Sequence, residues 1–186
     1  MFTTTNDDRH IYVEGAKIAF PNFACRAGMY NDEGKGGFTL LLPNQVADIL
    51  AADGWYVGQL VPRLGDEPPI PKINVKLSKF GSWPNITIIS GDRTHRVFYS
   101  KEMAGDIDRM RFASHHTNVF HYRGETYTYT TIPADGSPPT VFPYSMIDLC
   151  INPYMKNGKI SAWLGGFAGT LVDDPIEAKY ADIPIG

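Results

Sequence analysis

The sequence contains no apolar run near the ~20 residues that a helical membrane span requires, and residues 1–9 are polar rather than basic and then apolar. A soluble, unexported chain is expected. Cysteine is scarce: Cys25 and Cys150 stand far apart and outside any CxxC pair. They read as two reduced thiols of a cytosolic compartment, with a single bridge between them as the alternative. An excess of positive charge is also lacking, since 17 Lys and Arg face 20 Asp and Glu for a net charge of −3. That balance argues against a histone-like protein that holds duplex DNA by bulk charge. Glycine-rich phosphate loops, a nucleophile elbow and paired catalytic carboxylates are missing too, so no enzyme activity is expected. His115, His116 and His121 cluster in sequence, but their spacing fits no zinc signature, and neither a metal nor another cofactor is expected.

What is present describes a folded, strand-rich domain. Hydrophobic residues make up 43% of the 186 positions and charged residues 20%, far from the composition of disorder. One domain is the default at this length. Fourteen prolines and eighteen glycines divide the chain into short β-branched and aromatic stretches, the pattern of a barrel or sandwich. Strands are expected at residues 11–20, 38–42, 55–60, 72–79, 85–90, 96–99, 147–151 and 160–172. Asn44 would cap a helix over residues 45–52 that ends at Gly54, and a second short helix is expected over residues 101–110. Residues 112–144, with alternating Tyr and Thr from Tyr127 to Thr131 and a turn at residues 135–139, predict an inserted hairpin projecting from the barrel. Trp55 and Trp163 are expected in the core.

Charge is unevenly placed. Residues 59–101 hold seven basic side chains against three acidic, a balance of +4, whereas the mildly acidic residues 173–186 belong to an end of the chain with four acidic against one basic after residue 166. In residues 72–80 the period-two alternation of a strand puts Ile73, Val75 and Leu77 on one face and Lys72, Asn74, Lys76, Ser78 and Phe80 on the other. A connection through Gly81, Ser82, Trp83 and Pro84, with return along residues 85–90, would form a hairpin with Phe80 and Trp83 near its tip. Cations that follow phosphates and rings on which bases stack are the two ingredients of single-strand binding. Lys72, Lys76, Lys79, Phe80, Trp83, Arg93 and Arg96 are therefore candidate nucleic-acid contacts, with Arg26, Tyr30 and Lys35 of the glycine-rich segment before Phe38 as a second tier. Outer-face lysines also serve solubility and edge protection, and a hairpin Trp also folds back onto a core, so spacing alone leaves both readings open.

Several blocks occur together in order: residues 15–22, residues 38–42, Asp53-Gly54-Trp55-Tyr56-Val57, Pro84-Asn85-Ile86, residues 148–154 (Asp-Leu-Cys-Ile-Asn-Pro-Tyr), Asp173-Asp174-Pro175 and Ala178-Lys179-Tyr180-Ala181. This ordered set resembles a family of bacteriophage single-stranded DNA-binding proteins. The resemblance implies a mainly β, oligonucleotide-binding (OB) five-stranded barrel with one or two short helices, spanning residues 1–186 as a single domain. It also implies sequence-independent binding and protection of single-stranded DNA during phage replication and recombination in the cytoplasm of the infected bacterial host. Self-association along DNA and contacts with phage or host replication proteins would accompany that role. Met155 stands where relatives often carry Trp. The rival reading is a phage structural or assembly protein that uses the barrel, and the arm at residues 112–144, to bind other proteins.

Overall fold

The computed structural model describes residues 7–23, 36–61, 68–77, 85–90, 93–97, 117–130 and 147–170. Alternation makes the first strand, β1 (Ile11–Glu14), with Ile11 and Val13 fully buried. The single strand expected over residues 11–20 is broken at Gly15, whose φ of 69° turns the chain into β2 (Ile18–Asn22). The bend is pinned on both sides: the Gly15 N–H donates to Asp148 Oδ1 at 3.2 Å, and its carbonyl accepts from Asn118 Nδ2 at 3.3 Å.

Strand β3 (Gly37–Leu41) leads into helix α1 (Asn44–Ala52). The N-cap is Pro43 rather than Asn44, in extended backbone and without a side-chain cap; the proline ring fixes φ there and the helix starts one residue earlier than expected. Val46, Ala47 and Leu50 face the core, and Gly54 takes φ 97° just beyond the C-terminus. Trp55 then bridges to Ile160 and is 1% exposed. Only β4 (Gly58–Leu60) of the expected 55–60 strand is regular.

The remaining strands are β5 (Ile70–Lys76), β6 (Asn85–Ser90), β7 (Arg93–Val97), β8 (Thr117–Tyr122), β9 (Glu125–Thr130), β10 (Ile147–Lys156) and β11 (Lys159–Thr170). All eleven belong to one sheet, ordered β2-β3-β5-β11-β10-β1-β8-β9, with β4 on β5 and the β6–β7 pair on β11. Along this path β2 and β9 are ends, so the described ladder stays open where the resemblance implied a closed barrel of five strands. The second helix expected over residues 101–110 lies outside the described residues.

Two expectations are corrected. Strands β5 and β6 do not form a hairpin, because both run parallel to β11. Trp163 of β11 is level with Lys76 and Gly166 with Asn85, so the chain leaves one edge of β11 after β5 and rejoins the same edge at β6. The arm expected to project is, over residues 117–130, part of the sheet: β8 pairs with β1, and Phe120 and Tyr122 are buried. Its apolar alternation is satisfied only against the core. Strands β8 and β9 turn at Arg123 and Gly124, both at positive φ, whereas residues 135–139 lie outside the described residues.

A polar knot ties α1, the chain before β1 and this hairpin together. Asp53 accepts from Arg123 Nη1 at 2.8 Å, from Arg9 Nε at 3.3 Å and from the Tyr122 hydroxyl, which in turn accepts from Trp55 Nε1 at 2.8 Å. Burial alone would raise the Asp53 pKa, but the donors Tyr122, Arg123 and Arg9 outweigh it and hold the carboxyl below 3.8. Burial, reinforced by the Asp53 carboxylate, raises the Tyr122 phenol.

The contribution of Asp53 is complete above its unfolded value near 3.8 and is lost as pH falls through its lower folded value. Asp53→Asn is expected to cost about 1.5–3 kcal/mol at neutral pH. The gap between wild-type and variant melting temperatures should narrow steadily as pH falls from about 5 to about 2, which thermal denaturation across that range measures.

Candidate nucleic-acid interface

Strand β5 keeps the alternation expected of it. Pro71, Ile73 and Val75 are buried, while Lys72 and Lys76 are half-exposed and Asn74 exposed. Lys72 Nζ and Thr39 Oγ1 both donate to Asn74 Oδ1 at 3.3 Å, which steadies the polar face. The stem of Lys72 crosses Gly58, where an added Cβ would lie 3.4 Å from Lys72 Cε.

Register carries this face across the sheet. Gly37 of β3 pairs with Lys76, Lys76 with Trp163 of β11, and Trp163 with Asn152 of β10. Along β11 the alternation is as clear as in β5: Ile160, Ala162 and Leu164 are buried, whereas Ser161 and Trp163 are half-exposed. Trp163 therefore lies on the outer side of β11, partly buried, with its indole beneath the Lys76 ammonium, 5.8 Å from the ring centroid, within cation–π range. Tyr154, one step along β10, leans on the same indole at 4.8 Å and 50°. A cation, an indole and a phenol thus form one cluster on the β5–β11–β10 surface.

The two ends of this row depend on glycine. A β-bulge between Cys150 and Ile151 leaves Gly165 unmatched in the ladder, and a Cβ there would come within 2.6 Å of Asn152 Oδ1. The Asn152 side chain can lie over β11 only because Gly165 has none. The Cys150 thiol points to the same amide, Sγ to Oδ1 3.8 Å; burial pushes its pKa up, so it is a protonated donor and not a reactive thiolate. At the other end, a Cβ on Gly37 would meet the Val75 carbonyl oxygen at 2.5 Å.

Of the residues proposed from sequence, Lys72 and Lys76 are brought together on this face. Arg93 and Arg96 sit on β7, opposite Ser90 and Thr87 of β6, on the arm that joins β11 beyond β5. Lys79, Phe80, Trp83, Arg26, Tyr30 and Lys35 lie outside the described residues. Trp163, expected in the core, is instead partly buried on the outer side of β11 with its indole nitrogen enclosed, and the sequence reading also missed Tyr154, Lys156 and Lys159. The last two are exposed and directly opposed across the two-residue turn Asn157–Gly158, both at positive φ. A like-charged pair in that position is destabilising on its own and suits an anionic ligand. The signal was available: Asn-Gly between alternating strands is the strongest short hairpin signature, and it fixes the outward side of β11 at Lys159, Ser161 and Trp163.

Residues 3–107 match the family model described as "Putative phage ssDNA-binding domain", more than half of the chain. The chain belongs to this family. The matched segment of the phage ssDNA-binding domain includes β5 with Lys72 and Lys76, while Tyr154 and Trp163 lie beyond it. Among solved structures, the chain is similar to the single-stranded DNA-binding protein from bacteriophage Enc34 in a C-terminally truncated form, with 15% identity over 89% of this chain and 87% of that one and a TM-score of 0.43. No curated protein matches the sequence.

Gly37→Ala is expected to force β3 away from β5 at the level of Lys76, because the obstacle is a backbone carbonyl 2.5 Å away. A loss of about 1–3 kcal/mol in unfolding free energy should follow, measured by urea titration.

Proposed function

We propose that this protein binds single-stranded DNA without sequence preference, with phosphates along Lys72 and Lys76 and bases stacked on Trp163 and Tyr154. The observation that carries the reading is the cluster in which the Lys76 ammonium lies 5.8 Å over Trp163 and Tyr154 packs 4.8 Å from the same ring. Membership of the phage ssDNA-binding domain family supports it. A phosphate neutralised beside a ring that accepts any base is the chemistry of sequence-tolerant coating, and it requires no catalytic group.

Lys156 and Lys159 extend the cationic track along the β10–β11 hairpin. Lys79, Phe80 and Trp83 belong to the link between β5 and β6, and Arg93 and Arg96 to the neighbouring β6–β7 arm, so they complete the same surface in this reading. Arg26, Tyr30 and Lys35 precede Gly37, the first residue of the row, and form a second tier. The domain acts as an OB-like unit whose β3–β5 region and adjoining loops carry the strand. Its role is to protect single strands during phage replication and recombination in the host cytoplasm, with copies associating side by side and meeting replication proteins there.

Oligo-dT of about 30 nucleotides should bind and quench Trp fluorescence, with affinity falling steeply as salt rises. Lys76→Ala should lower the slope of log affinity against log salt by about 0.7. Trp163→Leu, which keeps apolar bulk, should weaken binding by about 1–3 kcal/mol with the slope unchanged. Failure of wild-type protein to shift the oligonucleotide at low salt would overturn the reading.

A further inference from the structure

Beyond Tyr154 the ring cluster meets a cavity. Strand β1 begins at Ile11, which pairs with Ile151, while β10 runs on to Lys156. Residues 7–10 therefore approach the rest of β10 outside the ladder. A cavity of about 460 Å³ lies there, to which the incoming chain contributes Asp8, Arg9 and His10, and β10 contributes Pro153, Tyr154 and Met155. That volume falls in the range of roughly 300–1,000 Å³ typical of small-ligand clefts.

Each of the two rings that line it is backed by another. Tyr154 leans on Trp163 at 4.8 Å, and His10 stacks on Tyr12 with centroids 6.4 Å apart and planes 27° from parallel. Tyr12 belongs to the outer side of the sheet, since Ile11 and Val13 on either side of it are fully buried. Its hydroxyl donates to the Cys150 thiol, which itself reaches Asn152, the partner of Trp163. The cavity thus joins two ring pairs, His10–Tyr12 and Tyr154–Trp163, and its Tyr154 wall is already part of the candidate interface.

Charge says which part of a nucleotide fits. Asp8 Oδ1 accepts from the His10 backbone N–H at 2.8 Å and lies 2.6 Å from its ring Nδ1, which fixes the imidazole. Arg9, the other basic residue of the lining, bonds Asp53 at 3.3 Å. With both engaged by carboxylates, and with Asp7 also lining the cavity and exposed, a phosphate is disfavoured there and an uncharged base is not. We infer that this cavity takes one nucleobase of the bound single strand, packed against His10 and Tyr154. This rests on the single-strand-binding reading above and deepens it: the strand continues from Trp163 and Tyr154 over β10 to the start of β1.

The test uses the full chain and fluorescein-labelled oligo-dT, with wild type, His10→Ala and His10→Phe compared across a salt series. His10→Ala should bind about tenfold more weakly with the salt slope unchanged, because a ring contact and not a phosphate contact is lost. His10→Phe, which keeps a flat ring and loses the side-chain bond to Asp8, should bind within about threefold of wild type. The His10 side chain is 43% exposed, so both variants should melt within about 2 °C of wild type. Wild type that binds while His10→Ala binds within about twofold of it overturns this inference alone. So does a slope lowered by about 0.7, which would make His10 a phosphate contact, or His10→Phe as weak as His10→Ala, which would assign the loss to the Asp8 bond. A larger fall in the melting temperature of His10→Ala would make the ring a packing group, and altered sedimentation of the DNA-free variant would assign it to contacts between copies; either overturns the inference. Wild type that fails to bind removes the parent reading as well.

Discussion

Strand β11 has neighbours on both edges, and most of the molecule is referred to it. Strand β10 follows one edge from Lys159 to Gly169, with a bulge at Gly165; β5 and then β6 occupy the other, both parallel to it. Near its start, Ile160 exchanges backbone hydrogen bonds with Gly54 and Tyr56, which docks the end of helix α1 onto the sheet. Strands β5 and β6 thus follow one another along the same edge, level with residues 162–163 and then 166–170 of β11. The pairing with β11, and not a hairpin between β5 and β6, sets the places of these two strands.

The same strand joins structural economy to function. Its inward residues Ile160, Ala162, Leu164 and Phe167 are buried in the common core, while the next position outward, Trp163, is half-exposed beside Lys76 and Tyr154. One period-two pattern therefore fills the core and builds the candidate interface. Small residues make the arrangement feasible where backbones or side chains approach closely: Gly37 lets β3 lie against the Val75 carbonyl, and Gly165 leaves room for the Asn152 amide. The Asp53 knot acts at the opposite end of α1 from Pro43, fixing the helix terminus to Arg9 and to the β8–β9 hairpin by charged hydrogen bonds that are strongest above the carboxyl's folded pKa.

Much of this was legible residue by residue. The alternation of β5 placed Lys72 and Lys76 on the outer face, a helix was legible over residues 45–52, and the ordered sequence blocks pointed to the family. Other features were hidden because they depend on neighbours distant in sequence. Trp163 looked like a core residue beside Leu164 and Phe167, and only its pairing with Lys76 and Asn152 shows which side of the sheet it takes. The hairpin inferred for β5 and β6 failed for the same reason, since two adjacent strands with a short connection look alike in sequence whether they pair with each other or share a third.

The sequence by itself determined the local periods, the glycine and proline breaks and the uneven charge, since these are set by backbone sterics and by the covalent order of side chains. The tertiary structure alone decided which periods meet. It put Lys76 over Trp163 and turned residues 117–130 into part of the sheet. Register between strands far apart in the chain is chosen by the simultaneous burial of all their apolar faces, a condition that no single segment contains.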